Sequence, residues 1–561
     1  ALIYADLFEQ VPKQHFKEIG RLTKLTGAKA SIHGPIERGI SDLAGFEQGR
    51  WSELNRRDAE RKISYFIDRA HDLDEKGNTP INFHINTNIE GEHWRKLNDE
   101  ELANLKQQSS KMNEHEREVI RPYIERGEIM ERMGIVDLET GQYQSIPSEI
   151  KHYPGGDVYL TPERRLNALN ESQWDQDRLR IFEYQRQKAM VEERKSRLAT
   201  QLLPYEYGER HHVLSDPERK QREALRQQVE SLNSHVSELD KHIHVGLNDL
   251  YHRFSYLPKE EKPKVESFFK QIEKDYSKLE TEKREFESRL NALKDSKDTE
   301  KKVRIISEYE GRIEEQNREQ DSLLQSRLNS VGQPGSSNIP VPAKFIPTNT
   351  LAKEKTVDTV SNAIYDSYKK YREYTPIITI ENYWYNRTLG TASELKDVIE
   401  KSRDKFIDKL VKNEGMSKET AKKTAEKLIG VTWDVGHINM MRSGGYDEKK
   451  ILAETKEIGP YVKQLHITDN FGFNDSHLPP GMGNAPIKQE IEELKKQGFK
   501  FEKGNLIVEA GGWFPQFNEN PHPYAMEYFN SPLYTYKAQP NWYNIWETQG
   551  PYSLGYGDIL P

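Results

Sequence analysis

The chain has 561 residues, 34% of them hydrophobic and 31% charged, with a net charge of −8 and no cysteine. That length allows two or more cores, and the charge excess points to a long solvated helical part beside an ordinary domain. The balance supplies no global basic field for nucleic acid. Without cysteine there are no disulfides or thiolate metal sites, so any metal must be held by His, Asp and Glu.

Residues 2–6 (L-I-Y-A-D) read as a strand, followed by a helix to about Thr26 and a second strand, A-K-A-S-I-H-G-P, that carries His33. A helix from about Arg57 to Leu73 sets Ile63, Phe66, Ile67 and Ala70 on one face, and the strand P-I-N-F-H-I-N carries His84. Strand and helix alternate as in βαβ units of a parallel sheet. From Trp94 to about Lys353 the rhythm breaks. A hairpin is expected around D-L-E-T-G-Q-Y and a turn at Tyr153-Pro154-Gly155-Gly156.

From about Trp174 to Leu328 the pattern is long polar helix. One heptad seam runs through Leu225, Val229, Leu232, Val236, Leu239, Ile243, Leu247 and Leu250. A second runs through Phe268, Phe269, Ile272, Tyr276, Leu279, Phe286, Leu290 and Leu293. The break at Leu257-Pro258 through Pro263 predicts an antiparallel helical hairpin, with 175–203 and 299–328 adding one or two helices. The seams could instead bind a protein partner or a second copy. The linker V-G-Q-P-G-S-S-N-I-P-V-P ends the insertion.

Barrel rhythm then resumes. P-I-I-T-I-E-N carries Glu381, V-T-W-D-V-G-H carries Asp434 and His437, L-H-I carries His466, D-S-H-L-P-P-G-M-G carries Asp475 and His477, and L-I-V-E-A carries Glu509. The expected architecture is α/β, a (β/α)8 TIM barrel built from 1–94 and 354–515, with 95–353 inserted as a mainly helical coiled-coil hairpin. The aromatic and Pro-rich tail 516–561 is expected to pack on the barrel. Seven strands are countable, near 2–6, 29–33, 80–84, 376–381, 430–434, 463–467 and 505–509. The missing βα unit is expected upstream of residue 1. No apolar run approaches the ~20 residues of a membrane-spanning helix and no signal-peptide pattern opens the chain, so a cytoplasmic protein is expected.

His33, His84, Glu381, Asp434, His437, His466, Asp475, His477 and Glu509 are metal-type ligands that end apolar runs or sit in Pro/Gly loops. Barrels keep their chemistry at strand C-termini. So many carboxylates and imidazoles in one mouth would be costly to bury without cations. His211, His212, His235, His242, His244 and His252 lie on the polar helices and are expected at the surface.

The barrel part resembles the xylose-isomerase-like TIM-barrel superfamily, and within it endonuclease IV, whose ligand order is His, His, Glu, Asp-x-x-His, His, Asp-x-His, Glu. S-I-H-G-P, N-F-H-I-N, T-I-E-N, W-D-V-G-H, L-H-I-T-D, D-S-H-L-P-P-G-M-G and I-V-E-A follow that order, and S-G-G-Y-D at 443–447 is similar to the family's Gly-Tyr-Asp. The resemblance implies that His33 and His84 hold one metal, with Glu381 bridging to a second. Asp434, His466 and Glu509 would complete the second, and His437, Asp475 and His477 would hold a third. It implies up to three zinc ions and DNA with abasic sites as substrate. Two departures stand out: Ile85-Asn86 replaces the Pro-Gly after the second His, and Ile36 replaces a Tyr that family inserts into DNA.

Isomerases and epimerases of the same superfamily offer a second reading, a small sugar substrate on one manganese or magnesium ion held by Glu381, Asp434, His466 and Glu509. Glu381 and Glu509 would be the paired catalytic groups. A catalytically inactive scaffold is the third reading.

Overall fold

The computed structural model describes the chain apart from residues 1, 5–10, 28, 35–41, 78, 85–88, 113, 155, 255–260, 293–314, 316–317, 320, 334–338, 502–503 and 532–561. The chain divides into two compact units, 1–165 with 346–561, and 166–345.

The first unit is built on a seven-stranded sheet. Its strands are β1 (Leu2–Tyr4), β2 (Ser31–His33), β3 (Pro80–His84), β4 (Ile377–Glu381), β5 (Ile429–Asp434), β6 (Val462–Ile467) and β7 (Leu506–Val508). Every neighbouring pair is parallel and spatial order follows chain order. All seven lie where the apolar runs place them. An eighth strand, needed for a closed (β/α)8 barrel, is not among the described residues. β5 is buried along its whole length, as expected of a parallel strand covered on both faces.

Helices bridge the strands, among them Lys13–Thr26, Glu53–Leu73, Ala392–Glu414, Glu448–Ile458 and Ile487–Lys496. Their starts are chemically marked: Ser52 accepts the Asn55 N–H, and Thr391 with Glu394 forms a capping box. Phe16, Ile63 and Ile67 from the helices meet Ile32, Ile81, Ile378, Val431 and Leu465 from the strands in one core.

The sheet curls. His33 on β2 and Glu509 just after β7 offer ligand atoms within 4.8 Å of each other. Five inter-strand steps of ~4.8 Å would set β2 and β7 roughly 24 Å apart in a flat sheet. Only a sheet bent towards its own edge brings those side chains together.

The expected insertion boundary at residue 95 moves. Glu92–Lys96, Glu128–Asp137 and Tyr143–Pro147 pair antiparallel and belong to the first unit, because Val136 and Leu138 bury into its core. The last two form the hairpin expected at D-L-E-T-G-Q-Y. This sheet leans on the loop after β4 through the bridge Glu90–Arg387 and a ring contact of 6.2 Å between His93 and Tyr385.

The second unit is helical: the later part of Pro162–Arg210, then Asp216–Arg253, Lys262–Ala292 and a helix over 321–330. Trp174, Ile181, Ile243, Leu247, Phe254, Val265, Ile272, Leu324 and Leu328 share a core separate from the first. Tyr251 and Phe254 both meet Phe269, at 5.1 and 5.7 Å, so the two heptad helices fold back as a hairpin. The side chains of Tyr276, Leu279, Phe286 and Leu290, and the whole of Leu293, lie outside the described residues. At the unit's ends, the Asn170 side chain accepts the N–H groups of Lys344 and Phe345 and donates to the Phe345 carbonyl, each at 2.9 Å. The helical-insert histidines are exposed, as expected.

Among the described residues, no helix is long and apolar enough to cross a membrane. The start of the tail packs on the first unit through Tyr528, and residues 532–561 lie outside the described residues.

Candidate metal centre

Six of the nine candidate ligands stand at the C-terminal ends of consecutive strands: His33 on β2, His84 on β3, Glu381 on β4, Asp434 on β5, His466 on β6 and Glu509 directly after β7. Register enforces the neighbours, since Glu381 pairs with His84 and Asp434 with His466. The other three sit on the segments after β5 and β6: His437 on the short helix Val435–Asn439, and Asp475 and His477 in the loop after Asn470.

The structure brings all nine into groups whose ligand atoms lie within 4.8 Å of one another, three that share members, namely His33, His84 and Glu381; Glu381, Asp434, His466 and Glu509; and His33, His466 and Glu509; and a separate one of His437, Asp475 and His477. Glu381 joins two of them. Its Oε2 stands 3.4 Å from His33 Nε2 and 3.3 Å from His84 Nε2, while its Oε1 stands 3.1 Å from His466 Nδ1. In the outer group, Asp475 Oδ2 lies 3.0 Å from His437 Nε2 and 3.1 Å from His477 Nε2.

The surroundings suit cations. His33 Nδ1–H donates to the Gly34 carbonyl at 2.7 Å, and His437 Nδ1–H to the Asn382 carbonyl at 2.8 Å. The His33 ring thus turns an Nε2 lone pair inward, as metal-ligating histidines do, while His437 Nε2 faces Asp475 Oδ2. Asp434 Oδ1 is occupied by the N–H groups of Gly436 and His437 and by the Thr468 hydroxyl, leaving Oδ2 buried without a hydrogen-bond partner. His466 Nε2, Glu509 Oε1 and Asp475 Oδ1 are likewise buried without one. So many buried polar atoms without partners are expensive unless ions satisfy them.

Electrostatics drive the groups apart. Burial pushes the His84 imidazole down to about 3. Burial alone would raise Glu381, but His466 and His84 outweigh it and hold that carboxyl well below its ordinary range. Burial raises Glu509 despite His466 beside it. Burial would lower His466, yet Glu381 and Glu509 lift it to about 9.

Several residues at the site carry no motif. Asn82, fully buried two positions before His84, donates its amide to Glu381 Oε2. Asn382 grips the Asp434 backbone by both amide atoms. The Tyr383 ring sits 5.3 Å from His84 and 5.4 Å from His437. A polar residue at i−2 from His84, on the same face of a buried strand, was the one readable signal among these. In S-G-G-Y-D, Asp447 caps the helix Glu448–Ile458 and Tyr446 is buried, so that motif builds the fold beside the site. Ile36, Ile85 and Asn86 lie outside the described residues.

No protein-family model matches the chain. It is 31% identical over 81 residues to an uncharacterized protein of Methanocaldococcus jannaschii, a match covering 14% of this chain and 26% of that protein. The chain thus spans about a quarter of the length of this curated relative. Among solved structures it is similar to a D-tagatose 3-epimerase-like protein at 19% identity, over 39% of this chain and 72% of that one, with a TM-score of 0.20. A likeness of that size carries no weight for activity.

Proposed function

We propose that the strand-end cluster holds divalent cations and that the chain is a metal-dependent hydrolase of phosphoesters, with a phosphodiester in abasic-site DNA as the leading substrate. The observation that supports this reading is the divided carboxylate of Glu381, one oxygen towards His33 and His84 and the other towards His466. A carboxylate placed so could serve two ions at once.

His33 and His84 would hold the first ion with Glu381, Asp434, His466 and Glu509 the second, and His437, Asp475 and His477 the third. Bound cations would neutralise phosphate charge and lower the pKa of water towards neutrality. The protein's share is to fix the ligands: Thr468 and two backbone N–H groups orient Asp434, and backbone carbonyls set the ring nitrogens of His33 and His437. No side-chain nucleophile is then required.

A second reading is favoured by a different observation. Glu381 and Glu509 both belong to the group with Asp434 and His466. Two carboxyls that would face a single cation suit proton transfer between adjacent carbons, the chemistry of a sugar isomerase or epimerase.

Metal analysis with paired assays decides between them. About three zinc ions per chain and cleavage of an abasic-site duplex support the hydrolase. About one manganese-type ion and interconversion of a ketose move the assignment to the epimerase. A protein that binds no divalent metal and does neither overturns both.

A further inference from the structure

The outer group differs from the rest in how it is built. His33, His84, Glu381, Asp434, His466 and Glu509 ride on sheet strands or the residue next to one, whereas His437, Asp475 and His477 ride on a short helix and a loop. Something other than the sheet must hold those two segments in place.

Asp469, 1% exposed, does so for the loop. Its Oδ1 accepts the N–H groups of Asn470 and Ala485 at 2.9 and 3.0 Å, and its Oδ2 those of Gly481 and Gly483 at 2.8 and 2.9 Å. Its backbone also pairs with Leu478 in both directions, at 3.0 and 2.9 Å. The segment bearing Asp475 and His477 is therefore closed at its neck by the Asp469–Leu478 pair, and the residues that follow it, Gly481 to Ala485, wrap around the Asp469 carboxylate. Asn470, fully buried, ties that neck to the other carrier: its amide donates to the Gly436 carbonyl at 2.8 Å, and its Oδ1 accepts from Asn439 at 3.0 Å. Gly436 and Asn439 flank His437 on the short helix.

We infer that Asp469 and Asn470 are positioning residues for the outer ligand group alone, so that breaking this hub releases one cation and leaves the strand-borne ions bound. The inference rests on the multinuclear reading of the site. A carboxylate has lone pairs for four N–H donors. An amide in either orientation sets its NH2 against two of them.

The test is zinc content per chain after equilibration with Zn2+ and removal of free metal, for the full chain and its variants. Asp469→Asn should lower it from about three ions to about two, with an unchanged far-ultraviolet spectrum. His477→Ala, which removes an outer ligand directly, should show the same loss, and the double variant no further loss. Gly483→Ala reaches the hub by another route, since a Cβ there would meet Asp469 Oδ1 and the Asn470 carbonyl; it should also lose one ion. Wild-type zinc content in Asp469→Asn, loss of every ion together, or failure of both Asp469→Asn and Gly483→Ala to fold would overturn the inference. A wild-type chain that takes up no zinc would instead sink the reading of the whole cluster, and this inference with it.

Discussion

The Nε2 atoms of His33 and His84 lie 3.2 Å apart, and both are within 3.4 Å of Glu381 Oε2. With its proton on Nδ1, His33 turns a lone pair to that point, so a shared cation is the natural resolution of the contact. Loading with zinc should therefore raise the melting temperature over that of chelator-treated protein. The gain should be roughly 3–4 kcal/mol at 100–1,000 times the dissociation constant. Coincident melting curves with and without zinc would deny the cluster its ion.

Glu381→Gln keeps the shape of the bridging side chain but removes its charge and one acceptor. Metal affinity and turnover should each fall by at least ~100-fold, with the circular dichroism unchanged. Retained activity on whichever substrate the wild type turns over would remove Glu381 from the centre.

Glu490 supplies a pH test at a group that is not itself a candidate ligand. It is fully buried, accepts from Thr455 at 2.7 Å and from the Trp433 indole at 3.2 Å, and burial pushes its carboxyl up to about 8. The folded state thus keeps a proton that the unfolded chain loses near its ordinary value of 4.5. Between those values the native state binds more protons, so its stability falls as pH rises through that window. Glu490→Gln should flatten the slope and be the more stable protein at pH 9, by an amount on the order of a few kcal/mol. Denaturant melts at pH 5 and pH 9 that show parallel changes for both proteins would refute it.

Excision of 171–343 with a short Gly/Ser joint removes a segment whose ends Asn170 already stitches together and whose core is its own. The remaining protein should fold and keep its full metal content. Precipitation, or loss of bound metal, would mean that the helical unit supports the centre.

The strand ends were legible because a buried parallel strand is a local signal: an apolar run such as I-G-V-T-W closed by one polar residue. The boundary of the insertion was not, since Val136 and Leu138 differ from helical-insert residues only in where they bury. Asp469 was equally hidden. Its partners are backbone N–H groups up to 16 positions away, and backbone donors leave no mark on residue type. The curl of the sheet, which joins His33 to Glu509, is a property of accumulated twist that no single segment carries.

Placing a whole helical unit between β3 and β4 also has a consequence for synthesis. The strand Pro80–His84 pairs with Ile377–Glu381, roughly 290 residues later. At about 5–20 residues per second, its open edge waits roughly 15–60 s on the ribosome for its partner. During that interval an apolar strand edge with unsatisfied backbone groups is open to neighbouring nascent chains, a liability that the finished sheet no longer carries.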